Sequence, residues 1–141
     1  MGISTIRRNS NRFVSLLPVM IALAIEAVND DLVLLNRSQM LSGERADGQV
    51  ITPMYSPKYA VFKGFNVPNL KLTGDFQDDM ILTVNENDQT FDITSFDPKT
   101  NDLIDRYTGK IFGIAPENRP RARYLVLNQL VILYNTRVLN G

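Results

Sequence analysis

The sequence predicts an α+β fold: a long N-terminal helix and a C-terminal helix packed on a small, mostly antiparallel β-sheet. Three observations predict it. Residues 10–35 place apolar side chains at helical spacing, residues 80–96 alternate as two strands do, and residues 120–139 return to helical spacing. Strands gathered between two terminal helices put those helices over one face of the sheet. At 141 residues and 44% hydrophobic content, the chain suffices for one domain with one core, spanning 1–141.

The first helix, over 10–35, carries Phe13, Leu16, Leu17, Met20, Ala24, Ala27, Val28 and Leu35 on one face. Its other side is apolar too, with Val14, Val19, Ile21 and Ile25. Pro18 should kink it or mark a second start. A helix apolar on nearly all sides is either wrapped by its own chain or half-covered by a second copy, and Ile21 and Ile25 are the candidates for such an interface. Residues 1–10 read as an arm.

Residues 42–48 form a loop by composition, followed by a short strand at 49–52. Pro53, Pro57, Gly64 and Pro68 then punctuate Tyr55, Tyr59, Phe62 and Phe65, which predicts an extended or once-turned connection pinned by its rings. The same rings interleave with Lys58, Lys63 and Lys71, a composition that also suits a nucleic-acid platform, although no basic cluster accompanies them. Met80, Leu82 and Val84 alternate with polar or outward positions, as do Phe91, Ile93 and Ser95, and residues 85–89 turn between them. Thr100 or Asn101 is placed to cap a short helix ending near Tyr107. A further strand is expected at 110–114. The closing helix begins near 116–120 and runs to Leu139, with Tyr124, Leu127, Val131, Tyr134 and Val138 as one stripe that Leu125, Leu130 and Leu133 widen.

The chain has 15 basic and 15 acidic residues, and neither cysteine nor histidine. Disulfides, thiolate metal sites, a cysteine nucleophile and the commonest general base are thereby absent, which argues against an enzyme. Asp78 and Asp79 resemble paired carboxylates, but on a strand neighbours point to opposite faces. Asp30 and Asp31 diverge on a helix. No phosphate loop, nucleophile elbow, dinucleotide fingerprint or calcium-loop spacing occurs, and no cofactor or metal is expected.

Charge is uneven along the chain. Nine acids, among them Asp75, Asp78 and Asp79, stand against Lys99 alone between 75 and 105; beyond it six bases, including Arg119, Arg121 and Arg123, stand against Glu117 alone. Three readings stand: solvated faces, a head-to-tail contact between the acidic edge of one subunit and the arginine cluster of the next, or an acidic hairpin facing a channel that conducts DNA. The N-terminus opens another reading. Arg7, Arg8 and Arg12 precede an apolar run at 13–24 and a small-residue exit, the grammar of a secretory signal on a secreted or envelope-associated binding domain. Ser15 and Pro18 interrupt that run, which is also shorter than the roughly 20 residues of a membrane span.

The stretch from Ala46-Asp47-Gly48 through Thr52-Pro53-Met54-Tyr55-Ser56-Pro57, followed by Tyr59, Lys63, Pro68 and then Leu70-Lys71-Leu72-Thr73-Gly74-Asp75-Phe76, resembles the virion-morphogenesis and tail-completion proteins of long-tailed bacteriophages. Tyr107-Thr108-Gly109-Lys110-Ile111-Phe112-Gly113 and Arg119-Pro120-Arg121 continue the match, which covers residues 30–140. Order and spacing carry it, since each motif is common by itself. The resemblance implies a structural head–tail connector in the virion, made in the host cytoplasm. It would form a homo-oligomeric ring on the order of six or twelve copies, docked to portal or adaptor and tail proteins, near packaged DNA without reading its sequence. It implies no catalytic residue, cofactor, small-molecule substrate or membrane. Thr73 and Gly74 would shape the turn that opens the sheet, Gly74 at a positive φ and Thr73 by a local hydrogen bond.

Overall fold

The computed structural model describes residues 2–71 and 73–139, with the side chain of Val138 outside that description. Helix α1 (Ile3–Ala27) starts earlier than its periodicity suggests, so residues 3–10 are helical and mostly exposed. Pro18 lies inside α1 without ending it. The break comes instead at Val28, where φ −110° and ψ 17° leave the helical region. It frees the Asn29 side chain to donate to the Leu82 carbonyl at 3.4 Å. Helix α2 (Asn29–Leu41) then begins with Asp30 and Asp31 in its first turn, at the positive end of the helix dipole.

Helix α2 buries Leu32, Val33, Asn36, Gln39 and Met40 along one face. Two of these are amides, and they organise a distant segment. Asn36 donates to the Ile111 carbonyl and accepts from the Gly113 amide, both at 2.9 Å. Gln39 donates to the Gly113 carbonyl at 2.9 Å and accepts from the Ala115 amide at 2.6 Å and the Asn118 side chain at 3.0 Å. The strand expected at 110–114 therefore does not form. Side chains of α2 satisfy its backbone in place of a neighbouring strand, and only a 3-10 turn, Gly109–Ile111, interrupts its extended course.

The strand expected at 49–52 is likewise reduced to one bridge, between Glu44 and Val50. Asp47 accepts from the Arg45 guanidinium at 2.5 and 3.1 Å and from the Gln49 amide at 3.1 Å, which closes the loop locally. The connection that follows holds a helix, α3 (Pro57–Lys63): Ser56 accepts from the Tyr59 amide, Pro57 opens the first turn and Gly64 ends it.

One further turn of helix, α4 (Asp75–Asp78), precedes the hairpin of β1 (Met80–Asn85) and β2 (Thr90–Ser95). The strands are antiparallel, with Met80 opposite Ser95 and Asn85 opposite Thr90. Met80, Leu82, Ile93 and Ser95 face inward beneath α1 and α2, while Thr83 and Asp92 face out. Helix α5 (Thr100–Tyr107) follows, but Thr100 is no side-chain cap. Its hydroxyl donates to the carbonyls of Ser95 and Asp97, and the Asp97 carboxylate takes the Lys99 amide at 2.7 Å.

A 3-10 turn, Pro116–Asn118, launches α6 (Arg119–Tyr134), which ends in a π turn at Asn135–Leu139. It runs antiparallel to α1: Phe13 meets Tyr134 edge-to-face at 5.2 Å, while Ile21 and Ile25 lie near Ala122 and Val126. The face presented to the core is the expected stripe only in part: Tyr134 and the widening residues Leu125, Leu130 and Leu133 turn inward. Ala122 is buried and Leu125, Val126 and Leu133 are half-buried, whereas Tyr124, Leu127 and Val131 stand 59%, 57% and 57% exposed. Val138, assigned to that stripe, has its side chain outside the described residues. α6 is apolar around most of its circumference, so periodicity alone does not choose the buried side. Small Ala122 permits close approach to α1 on the face that is covered.

Candidate functional site

The uncovered side of α6 continues into a groove of about 700 Å³ between α1, α6, the end of the hairpin and the extended segment at 113–114. Ile21 and Ile25 come from α1, Val126 and Leu130 from α6, and Phe91 from β2. Leu127 belongs both to this groove and to the exposed outer stripe, so the apolar surface is continuous. Arg119 and Arg123 line the same groove, and among the described residues no carboxylate does. The Arg119 guanidinium also donates to the Ile114 carbonyl at 3.4 Å, which ties the groove to the segment held by Asn36 and Gln39.

Four of the residues singled out by sequence thus meet in one place: Ile21, Ile25, Arg119 and Arg123. They do not meet as expected. Ile25 is only 4% exposed and packs into the chain's own core, so its face is corrected from an uncovered helix surface to a groove floor. Ile21 is half-buried beside it. Arg121 points elsewhere, over the Tyr124 ring at 5.5 Å, and marks the outer face of α6. Arginine and tyrosine beside exposed aliphatic side chains is the composition enriched at protein interfaces.

The acidic candidates sit at the other end of the hairpin. Asp75 opens α4, its carboxylate accepting from the Thr73 hydroxyl at 2.7 Å. Asp78 lines a separate depression with Asp30 and Arg37. Asp79 follows α4 as its C-terminal cap, not on a strand as expected, so the opposite-face argument does not apply to this pair. Gly74 adopts φ +101° immediately before α4, the left-handed conformation that disfavours any side chain. Six-residue strands separate these acids from the groove, a span of about 17 Å at the usual rise per residue.

Sequence reasoning missed one ionisable pair near the launch of α6. Glu44 and Glu117 share a side-chain hydrogen bond, and this raises the Glu44 pKa above its ordinary value of 4.5, with desolvation and the neighbouring negative charge acting in the same direction. Nothing in a separation of 73 positions signals it. Among the described residues no group of three or more His, Cys, Asp or Glu side chains is placed to hold a metal ion.

No family model matches this chain, and no curated protein or solved structure is similar to it. The resemblance to tail-completion proteins therefore rests on motif order and spacing. Helix α1, at 25 residues with a mean hydropathy of 1.3 over its most apolar window, is long and apolar enough to cross a membrane. The expected shortness concerned the apolar run 13–24 alone; the whole helix meets the criterion by length and composition only. Helices in the cores of soluble proteins and signal sequences share that property.

Proposed function

We propose that this chain is a structural subunit of a tailed-phage virion, assembling head to tail into a ring at the head–tail junction that joins portal or adaptor to tail. One observation carries the assembly reading: an apolar groove, bordered by arginines and free of carboxylates, runs without interruption onto the exposed stripe of Tyr124, Leu127 and Val131. A monomer gains nothing from leaving that surface in water. The acidic α4 end lies on a different part of the molecule, and two unlike complementary patches make the heterologous contact from which rings close. The assignment to a virion neck rests on the motif order described above.

Light scattering on the eluting protein tests assembly. The parent should run as a closed oligomer, and Leu127→Glu with Val131→Glu should yield a folded monomer. Arg119→Glu with Arg123→Glu should weaken assembly most at low salt, where charge attraction is least screened. A parent that stays monomeric at high concentration sinks the reading. Antibody labelling of purified particles at the head–tail joint tests the location.

The length of α1 favours a second reading, a secreted or envelope-associated domain whose N-terminal segment is a signal. Removal of that segment through Ala27 would strip Met20, Ala22, Ala24 and Ile25 from the packed interior and leave the inner face of α6 bare. Intact mass of the protein from its native host separates the two, since processing there would shorten the chain.

A further inference from the structure

The connection between Pro53 and Gly74 has a character of its own. From Gly48 to Gly74 the sequence contains three lysines, four aromatic residues and no acid. The structure gathers the four rings into a ladder. Phe65 lies 6.2 Å from Tyr55, Tyr55 meets Tyr59 edge-on at 4.8 Å, and Tyr59 stacks on Phe62 at 5.8 Å with 29° between planes. Most of this is open to solvent: Phe62 is 75% exposed, Tyr59 and Phe65 are exposed as well, and Tyr55 is half-buried. Lys58 stands one helical turn from Phe62 on α3, and Lys63 lies over the Tyr55 and Phe65 rings at 5.9 and 5.5 Å.

Beside the ladder opens a cavity of about 470 Å³, within the ordinary size range of small-ligand sites. Tyr55, Tyr59 and Tyr107 form its walls, and among the described residues Lys71, Lys99 and Arg106 are its only charged lining groups. Asp75, Asp102 and Asp105 stand on the flanking helices without lining it. Gln77 also lines the cavity and is 3% exposed; its amide nitrogen reaches the Asn69 carbonyl at 3.3 Å, but its buried Oε1 has no protein donor. At the wall, Leu70 holds φ +59°, a conformation rare for a residue other than glycine.

We propose that this face binds single-stranded nucleic acid. Bases stack on Phe62 and Tyr59, one base enters the tyrosine-walled cavity, and phosphates meet Lys58, Lys71, Lys99 and Arg106. Stacking rings with flanking cations are the physical recipe for sequence-tolerant single-strand binding. Exposed rings beside lysines also suit an anionic lipid surface, but the cavity decides between them. A nucleotide supplies a flat body for the tyrosine walls and phosphates for the lining cations, and a lipid chain supplies no such flat body. This inference does not depend on the assembly reading.

The test is anisotropy of a fluorescein-labelled oligothymidylate titrated with the full chain. Saturable binding is expected, with a slope of about −3 in log K against log salt for the four phosphate contacts. Phe62→Ala should weaken it about tenfold, and Phe62→Trp should preserve it. Phe62 is so exposed that both variants should keep the parent's far-ultraviolet circular dichroism. Several results would overturn the proposal: no binding at about 10⁻⁴ M protein at low salt, equal affinity for duplex, affinity indifferent to Phe62→Ala, or sedimentation with phosphatidylserine vesicles in place of oligonucleotide binding.

Discussion

Replacing Asn36 by leucine should destabilise the fold by about 2–6 kcal/mol. Asn36 is fully buried, and its two hydrogen bonds, to the Ile111 carbonyl and from the Gly113 amide, bridge 75 and 77 positions of sequence. Leucine shares the branched outline of asparagine but is larger, so the substitution leaves no cavity and any overpacking adds to the polar loss. It leaves one buried carbonyl and one largely buried amide unpaired, each costing about 1–3 kcal/mol. Against a total stability of about 5–15 kcal/mol this is a large fraction. Urea unfolding followed by circular dichroism should show the midpoint falling by about 1–2 M with the slope unchanged. Hydrogen exchange should show the Gly113 amide losing protection ahead of the hairpin amides. A loss under about 1 kcal/mol with an unchanged slope would refute the reasoning, because it would mean these backbone groups are satisfied without Asn36.

Two further outcomes follow from local geometry. At Gly113, φ is +127° and an added Cβ would lie 2.9 Å from the Ala46 Cβ, so Gly113→Ala should cost about 2–4 kcal/mol; Gly74→Ala, with no atom nearer than 3.8 Å, should cost only the backbone term of about 1–2 kcal/mol. Equal losses in urea unfolding would contradict this separation. The Glu44 carboxyl is raised by Glu117, so the native state holds its proton more tightly than the unfolded chain does. That contribution is complete below the ordinary glutamate pKa and disappears as pH rises through the raised value. Glu44→Gln should therefore raise the melting temperature at pH 7 relative to the parent and leave it near the parent's at pH 4; an identical shift at both pH values would show that the pair does not interact.

The hairpin was legible because both strands alternate and one face is covered: Leu82 lies opposite Ile93, and both are buried. Helix α3 was legible but unread, for Ser56-Pro57 is a cap followed by a first-turn proline and Gly64 supplies the left-handed stop. The 110–114 segment was not legible. Its apolar residues suit a strand, and what prevents one is a pair of amides some 75 positions away in α2. Asn36 and Gln39 sit among apolar residues of a helix face, where sequence marks them only as interruptions. The buried side of α6 was also out of reach, because a helix apolar on both sides carries no periodic signal of which side is covered.

That ambiguity bears on the assembly reading. A helix buried on one face by its own chain needs an apolar stripe of about 100°, yet α6 keeps Tyr124, Leu127 and Val131 outside the face that α1 covers. The surplus is not spread over the surface. It lies next to the groove, and the groove wall at Gly113 and Ile114 is held by the Asn36 and Gln39 amides while its arginines come from the first turns of α6. The apolar excess, the positive rim and the rigid support therefore arise from one local arrangement. If the surface served only solubility, loosening the segment with Asn36→Leu would cost stability alone. If it receives a neighbouring copy, the same substitution should weaken assembly at temperatures where the variant is still folded, through residues that touch no partner.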